Sequence, residues 1–134
     1  MHDKGLSTFY VNGAIQGVGD VEFMVDTGSG YMTINERSLE QLQSSGNAEY
    51  VRELTGVLAD GSRKVVPVYR LEAVTLGDNC VVRNVEAAVF PGDTRHILGL
   101  SVLRRTAPFT FSTEPPSLVL SHCMDTPATT AQAN

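Results

Sequence analysis

Apolar residues along this chain fall mostly at alternate positions in short runs, and each run is closed by a turn signal. Val21-Glu22-Phe23-Met24-Val25 carries its apolar side chains at 21, 23 and 25, the period of a strand with one buried face. Phe9-Tyr10-Val11 is a shorter β-prone run, ended by Asn12-Gly13. Tyr31-Met32-Thr33-Ile34 reads as a strand. Thr55 to Ala59 and Arg63 to Tyr69 flank Asp60-Gly61, a strong hairpin signal. Arg70 to Leu76 alternates again, with Leu71, Ala73 and Val74 inward. After the turn at Gly77-Asp78-Asn79, residues 81–90 form a long strand, broken by Pro91-Gly92-Asp93. His96 to Leu100 is an apolar strand ending around Gly99, and one or two helical turns follow over 101–105. Phe109 to Ser112 and Leu118 to Leu120 are the last strands, separated by Pro115-Pro116.

One segment departs from this period. Asn35 is a plausible N-cap, Leu39 and Leu42 form one apolar stripe, and Ser44-Ser45-Gly46 supplies a stop, so 35–43 predicts a short helix. The expected architecture is an all-β, closed barrel with one or two short helices. It spans residues 1–123 as a single domain, with a Thr/Ala/Pro-rich tail over 124–134 expected to be disordered.

Composition narrows the function more than the fold. The chain has 134 residues, of which 42% are hydrophobic and 19% charged, as expected of a globular domain. Its net charge of −5 argues against a nucleic-acid partner, since phosphate binding needs a basic face. Arg104-Arg105 is the one basic doublet and reads as solvated surface. No apolar run approaches the ~20 residues needed to cross a bilayer. The start, Met1-His2-Asp3-Lys4-Gly5, has no secretory apolar region. The chain as given therefore reads as soluble and without membrane contact, with the cytoplasm favoured slightly over a periplasmic or anchored location. Cys80 and Cys123 read as free, inert thiols, with a disulfide as the alternative. His2, His96 and His122 are scattered, and no Cys/His spacing suggests a metal site.

The glycines at 13, 17 and 19 lack the Gly-Lys-Ser/Thr ending of a phosphate loop, so they read as a hairpin loop. Asp26-Thr27-Gly28 carries more. Three residues alone are a weak signal, and the same dipeptide start recurs at Asp125-Thr126-Pro127, where proline has no N–H to offer a carboxylate. At 26, however, an apolar strand leads directly into the aspartate. Thr27 supplies a neighbouring hydroxyl, Gly28 bares its N–H, and Ser29 adds a donor, which together would hold a carboxylate in position. Ile97-Leu98-Gly99, two apolar residues and a glycine before a helical turn, is the second element.

Together these residues resemble the retropepsin-like aspartic proteases. The likeness runs from about Asn12 to Leu120, and is nearest to the bacterial single-domain members, on Phe23 to Ser29, the middle hairpin, Val85-Glu86-Ala87 and Ile97 to Leu100. It implies a homodimeric endopeptidase acting on polypeptides. Asp26 from each of two chains would share a proton and activate a water, with no metal or cofactor. By the same resemblance, Thr27 bonds across the dimer axis and the Gly28 N–H contacts the carboxylate. Ser29 and the flap residues Ala59, Asp60 and Gly61 meet substrate, while Ile97, Leu98 and Gly99 brace the active-site loop. Two departures stand out. Gly30 occupies a position where Ser or Thr is commoner, which implies one hydrogen bond fewer in the loop. Pro115-Pro116 interrupts the terminal strands that often build the dimer. The competing reading is a catalytically silent dimerisation or peptide-binding module on the same fold.

Overall fold

The computed structural model describes residues 8–57, 60–121 and 123 in full, and residues 2–3 and 129–131 as backbone. Its elements in chain order are β1 (His2–Asp3), β2 (Phe9–Ile15), β3 (Gly19–Val25), β4 (Met32–Asn35), α1 (Glu36–Ser45), β5 (Ala48–Val57) and β6 (Arg63–Leu76). β7 (Cys80–Phe90), β8 (His96–Leu98), α2 (Leu100–Leu103), a 3-10 turn (Arg104–Thr106), β9 (Phe109–Thr113), β10 (Pro116–Leu120) and β11 (Thr129–Ala131) follow.

Eight strands form one sheet in the order β1-β2-β3-β8-β4-β7-β6-β5. A further antiparallel pairing of β2 with β6, from Gly13↔Leu76 to Ile15↔Val74, closes the strands between them into a barrel. A closed barrel removes the exposed edges of the strands it contains. The closure needs Gly13. A Cβ there would lie 2.2 Å from the Thr75 carbonyl oxygen, so only a residue without a side chain lets β2 and β6 come together. The glycine-rich stretch after it is the β2–β3 hairpin, as its sequence implied.

Inside the barrel lies one apolar cluster, including Val11, Ile15, Phe23, Met32, Ile34, Leu71, Leu76, Val85, Leu98 and Leu103. Each of these side chains is at most 1% exposed. At about 25 cal/mol per Å² of apolar surface removed from water, this burial is the main favourable contribution to folding.

The helix forms where its caps predicted. The Asn35 side chain accepts from the Ser38 N–H at 2.8 Å, and Gly46, at φ 73°, ends the helix in the left-handed conformation. Two strands run longer than their sequence suggested. β5 begins at Ala48 rather than near Thr55. β6 is one strand through Pro67, which is possible because the β6–β7 register only begins at Val68↔Ala88. Before that point β6 has a neighbour on one side only, and a missing N–H on the open side costs no ladder bond.

One expectation is corrected. Cys80 and Cys123 are not free thiols but a disulfide that ties the start of β7 to the segment after β10. Both are buried, so the pair lies within the core that the two segments share. Within the tail, 124–128 and 132–134 lie outside the described residues, but Thr129–Ala131 is a strand paired with β10. Its β-branched threonines suit a strand, and β10 offers an edge to pair with.

Candidate active site

Strands β3, β8 and β4 build the site. β8 lies between the other two, parallel to β3 (Met24↔Ile97, Val25↔Leu98) and antiparallel to β4 (Thr33↔Ile97). β3 ends at Val25, and the next backbone N–H, that of Asp26, donates to the Leu98 carbonyl at 3.1 Å. The chain then turns. The Ser29 N–H donates to the Asp26 carbonyl at 3.2 Å, and the Gly28 N–H donates to Asp26 Oδ1 at 2.9 Å. The aspartate carboxylate is thus held by a backbone donor two residues on, in a loop pinned to the barrel at its start.

The far side of the loop is pinned as well. The Leu100 N–H donates to the Ser29 carbonyl at 2.8 Å, and Ser29 Oγ donates to the Tyr31 carbonyl at 2.8 Å. Gly99 makes the contact possible, because a Cβ there would sit 2.3 Å from the Tyr31 oxygen and 2.8 Å from that of Ser29. Ser101 Oγ accepts from the Met32 N–H at 2.7 Å and reaches the Glu86 carbonyl at 3.4 Å, joining α2 to β4 and β7. Gly30 has open space where a side chain would be, so nothing in the packing demands glycine there. Thr27 is exposed, and its hydroxyl has no partner among the described residues.

Asp26 lines an open cleft of about 860 Å³. Met24, Gly28, Ser29 and Ile97 line it with Asp26, as do Tyr31 and Thr33. Leu54, Gly56 and Val57 of β5 and Ala88 and Phe90 of β7 also contribute to the lining. The Phe90 ring packs where Gly56 leaves no room for a side chain, at 2.9 Å from the Cβ position. The remaining wall is Asp93, Thr94 and Arg95. A second hollow of about 590 Å³, lined by residues such as Asn12, Asp20, Glu22 and Asp78, shares none of these side chains.

The structure thus brings Asp26, Gly28, Ser29 and Ile97 into one cleft. Leu98, a backbone hydrogen-bond partner of the loop, and Gly99, packed against the Ser29 and Tyr31 carbonyls, are not among its lining residues. Asp60 and Gly61 stand at the tip of the β5–β6 hairpin, outside the cleft lining, and Ala59 lies outside the described residues. Asp60 orders that tip: its carboxylate accepts from the Ser62 N–H at 2.8 Å and from the Ser62 hydroxyl. The Ser62 hydroxyl and then its N–H hold the Asp60 carboxyl below the usual range.

Several cleft residues carried no signal in the sequence. Tyr31 is positioned by Arg52, whose Nη2 donates to the Tyr31 hydroxyl and, at 2.9 Å, to Glu86 Oε1. The Arg52 guanidinium also lies 5.7 Å from the Tyr31 ring centroid. A bulge at Val51 shifts the β5–β6 register just before Arg52. The 92–95 segment is tied to α1. Glu36 Oε1 accepts from the Gly92 N–H at 2.6 Å, and Asn35 Nδ2 donates to the Thr94 carbonyl at 2.8 Å. His96 points away from the cleft, shares a 2.8 Å hydrogen bond with Ser38 Oγ, and sets its ring edge-on to Phe23 at 6.2 Å.

The chain thus places an aspartate at the end of a barrel strand, clamped by a glycine N–H and braced by an apolar-apolar-glycine strand, and its family and fold are aspartic protease-like. The family model described as "gag-polyprotein putative aspartyl protease" matches residues 11–105, and the chain belongs to that family. Among solved structures it is similar to a retropepsin-like aspartic protease from Rickettsia conorii, at 26% identity and a TM-score of 0.58 over 92% of this chain and 84% of that one. It also shares the fold of the retroviral protease-like domain of Ddi1 from Leishmania major, at 18% identity and a TM-score of 0.63 over 97% of this chain and 98% of that one. No curated protein matches the sequence.

Proposed function

We propose that the protein is an aspartic endopeptidase whose catalytic pair is Asp26 of two identical chains meeting at a two-fold axis. The observation that carries this reading is the Asp26 carboxylate itself. It sits in an open cleft, clamped by the Gly28 N–H at 2.9 Å, and each chain supplies one such clamped carboxylate. A two-fold axis supplies the second. The exposed Thr27 hydroxyl, with no partner among the described residues, supports an interface beside Asp26 that one chain leaves open. Leu54, Gly56 and Val57 of β5 line the same cleft as Asp26, which supports a β5–β6 hairpin that covers an extended peptide.

The chemistry follows from two carboxyl groups too close to ionise together, so that they share one proton. The ionised member takes a proton from a water lying between them, and the water oxygen attacks the scissile carbonyl. The protonated member hydrogen-bonds the developing oxyanion. Collapse of the tetrahedral species breaks the C–N bond, and the leaving nitrogen takes a proton from the pair. The products are a carboxylic acid and an amine. The Gly28 N–H keeps the carboxylate aimed throughout, which limits reorganisation during the reaction.

The test is Asp26→Asn, assayed on an unfolded protein at mildly acidic pH with the parent alongside. The substitution preserves shape and removes the ionisable group, so cleavage should fall by about 10³-fold or more. A variant that cleaves like the parent removes Asp26 from the chemistry. A parent that binds peptide in the cleft and never cleaves it makes the protein a silent binding module instead.

A further inference from the structure

Arg95 has no counterpart in the chemistry above, yet it stands in the cleft wall. We infer that Arg95 makes this cleft selective for polypeptides carrying Asp or Glu a few residues from the bond that is cut, an inference that rests on the proposed peptidase activity.

The cleft lining sets its direction. Arg95 lies just before β8, and the lining contains Arg95 and Ile97 but neither His96 nor Leu98. Charge bookkeeping in the cleft singles it out. Among the described residues, the ionisable ones lining the cleft are Asp26, Tyr31, Asp93 and Arg95. Asp93 is already answered from outside, by Arg37 at 3.8 Å and by Asn35 Nδ2 at 3.4 Å. Tyr31 is held by Arg52, and Arg52 by Glu86. Arg95 is exposed, and among the described residues its guanidinium donates only to Met24 Sδ at 3.9 Å, a weak acceptor. No carboxylate of the described residues pairs with it, although the chain is acidic overall. A cation on an exposed wall, resting on a thioether, is free to exchange that contact for a carboxylate, which an Arg fork binds with two parallel hydrogen bonds.

Register places the subsite. Ile97 pairs with Met24, and Asp26 lies two residues beyond Met24, just past the end of β3. Arg95 lies two residues before Ile97, just ahead of β8, so it stands at most about four residues back from the level of Asp26, or ~13 Å at ~3.3 Å per extended residue. An extended peptide advances by the same rise, and the arginine side chain itself is long. The acidic residue that Arg95 meets then lies about two to four positions from the scissile bond. In a two-fold dimer this applies on both sides of the bond.

The experiment uses a synthetic peptide set around one cleaved sequence, with Glu, Gln or Lys placed at each of the positions two to four away on either side. kcat/KM is measured for the parent, for Arg95→Gln and for Arg95→Glu. The parent should prefer Glu to Gln by about 5-fold at one of these positions, the size expected of a charge-assisted contact at a partly exposed site. This preference should shrink between low salt and ~0.5 M salt, where the Debye length is only a few ångströms. Arg95→Gln should lose it, and Arg95→Glu should favour Lys. Cleavage that depends on Asp26 but is equal for Glu and Gln peptides overturns the inference and leaves the peptidase reading intact. A preference that survives Arg95→Gln also overturns it. No cleavage of any peptide by the parent removes the peptidase reading and the inference together.

Discussion

At the scale of single residues, the site shows how one strand divides its work between its faces. Ile97 lines the cleft, and its neighbour His96 turns into the wall between β8 and α1. Burial holds the His96 imidazole below its ordinary value of 6.5, and the nearby Asp93 carboxylate opposes this more weakly. The sign for stability follows. As pH falls through 6.5, the unfolded chain takes up a proton at His96 while the folded chain resists it. The stability that His96 contributes is therefore complete above pH 6.5 and declines below it, down to the lower value of the folded state. An enzyme working at mildly acidic pH would work inside that window. Urea midpoints measured at pH 7.5 and 5 should fall more for the parent than for His96→Gln, which can keep a bond to Ser38 but cannot titrate. Equal slopes for both proteins would show that other groups set the acid sensitivity.

At the scale of elements, the legible parts of the chain are those fixed by neighbours in sequence. The α1 caps at Asn35 and Gly46 lie within a turn of the helix they end, and the Gly28 N–H reaches a carboxylate only two residues back. The first half of β5 was illegible because it is an edge strand, with Glu49, Tyr50, Arg52 and Glu53 all exposed, so no alternation marks it. The cleft walls were illegible for another reason: Leu54, Phe90 and Arg95 come from separate elements, and only the closed barrel brings them to Asp26. The disulfide belongs with these, since Cys80 and Cys123 are 43 residues apart in sequence and nothing local announces their pairing. A cross-link closing a loop of that length removes unfolded-state entropy worth about 4 kcal/mol in the chain-entropy treatment. Cys80→Ser combined with Cys123→Ser should therefore lower the unfolding free energy by an amount of that order, with reductant doing the same to the parent and nothing to the variant. Two titratable thiols in the denatured parent, without reductant, would refute the bond. Among the described residues, the cleft draws none of its lining from β9 or β10 or from Cys123, so peptide binding should survive wherever the variant remains folded.

At the scale of the whole molecule, the claim about Asp26 becomes a claim about symmetry. The β9–β10 hairpin is complete despite Pro115-Pro116, because Pro115 falls in the turn and Pro116 opens β10. The proline break therefore does not remove the terminal sheet, and β9 keeps one edge without a neighbouring strand among the described residues. If each active centre takes one aspartate from each chain, a chain with Asn at 26 disables every partner it pairs with. Mixing parent and Asp26→Asn chains, after dissociation and reassociation, gives parent homodimers in proportion to the square of the parent fraction. An equal mixture should retain about a quarter of the activity that the same total protein shows as pure parent, while independent monomeric sites would retain about half. The measurement distinguishes the two without any knowledge of the natural substrate. A linear decline with parent fraction would leave the fold and the clamped carboxylate standing, and would mean that one chain completes the site alone.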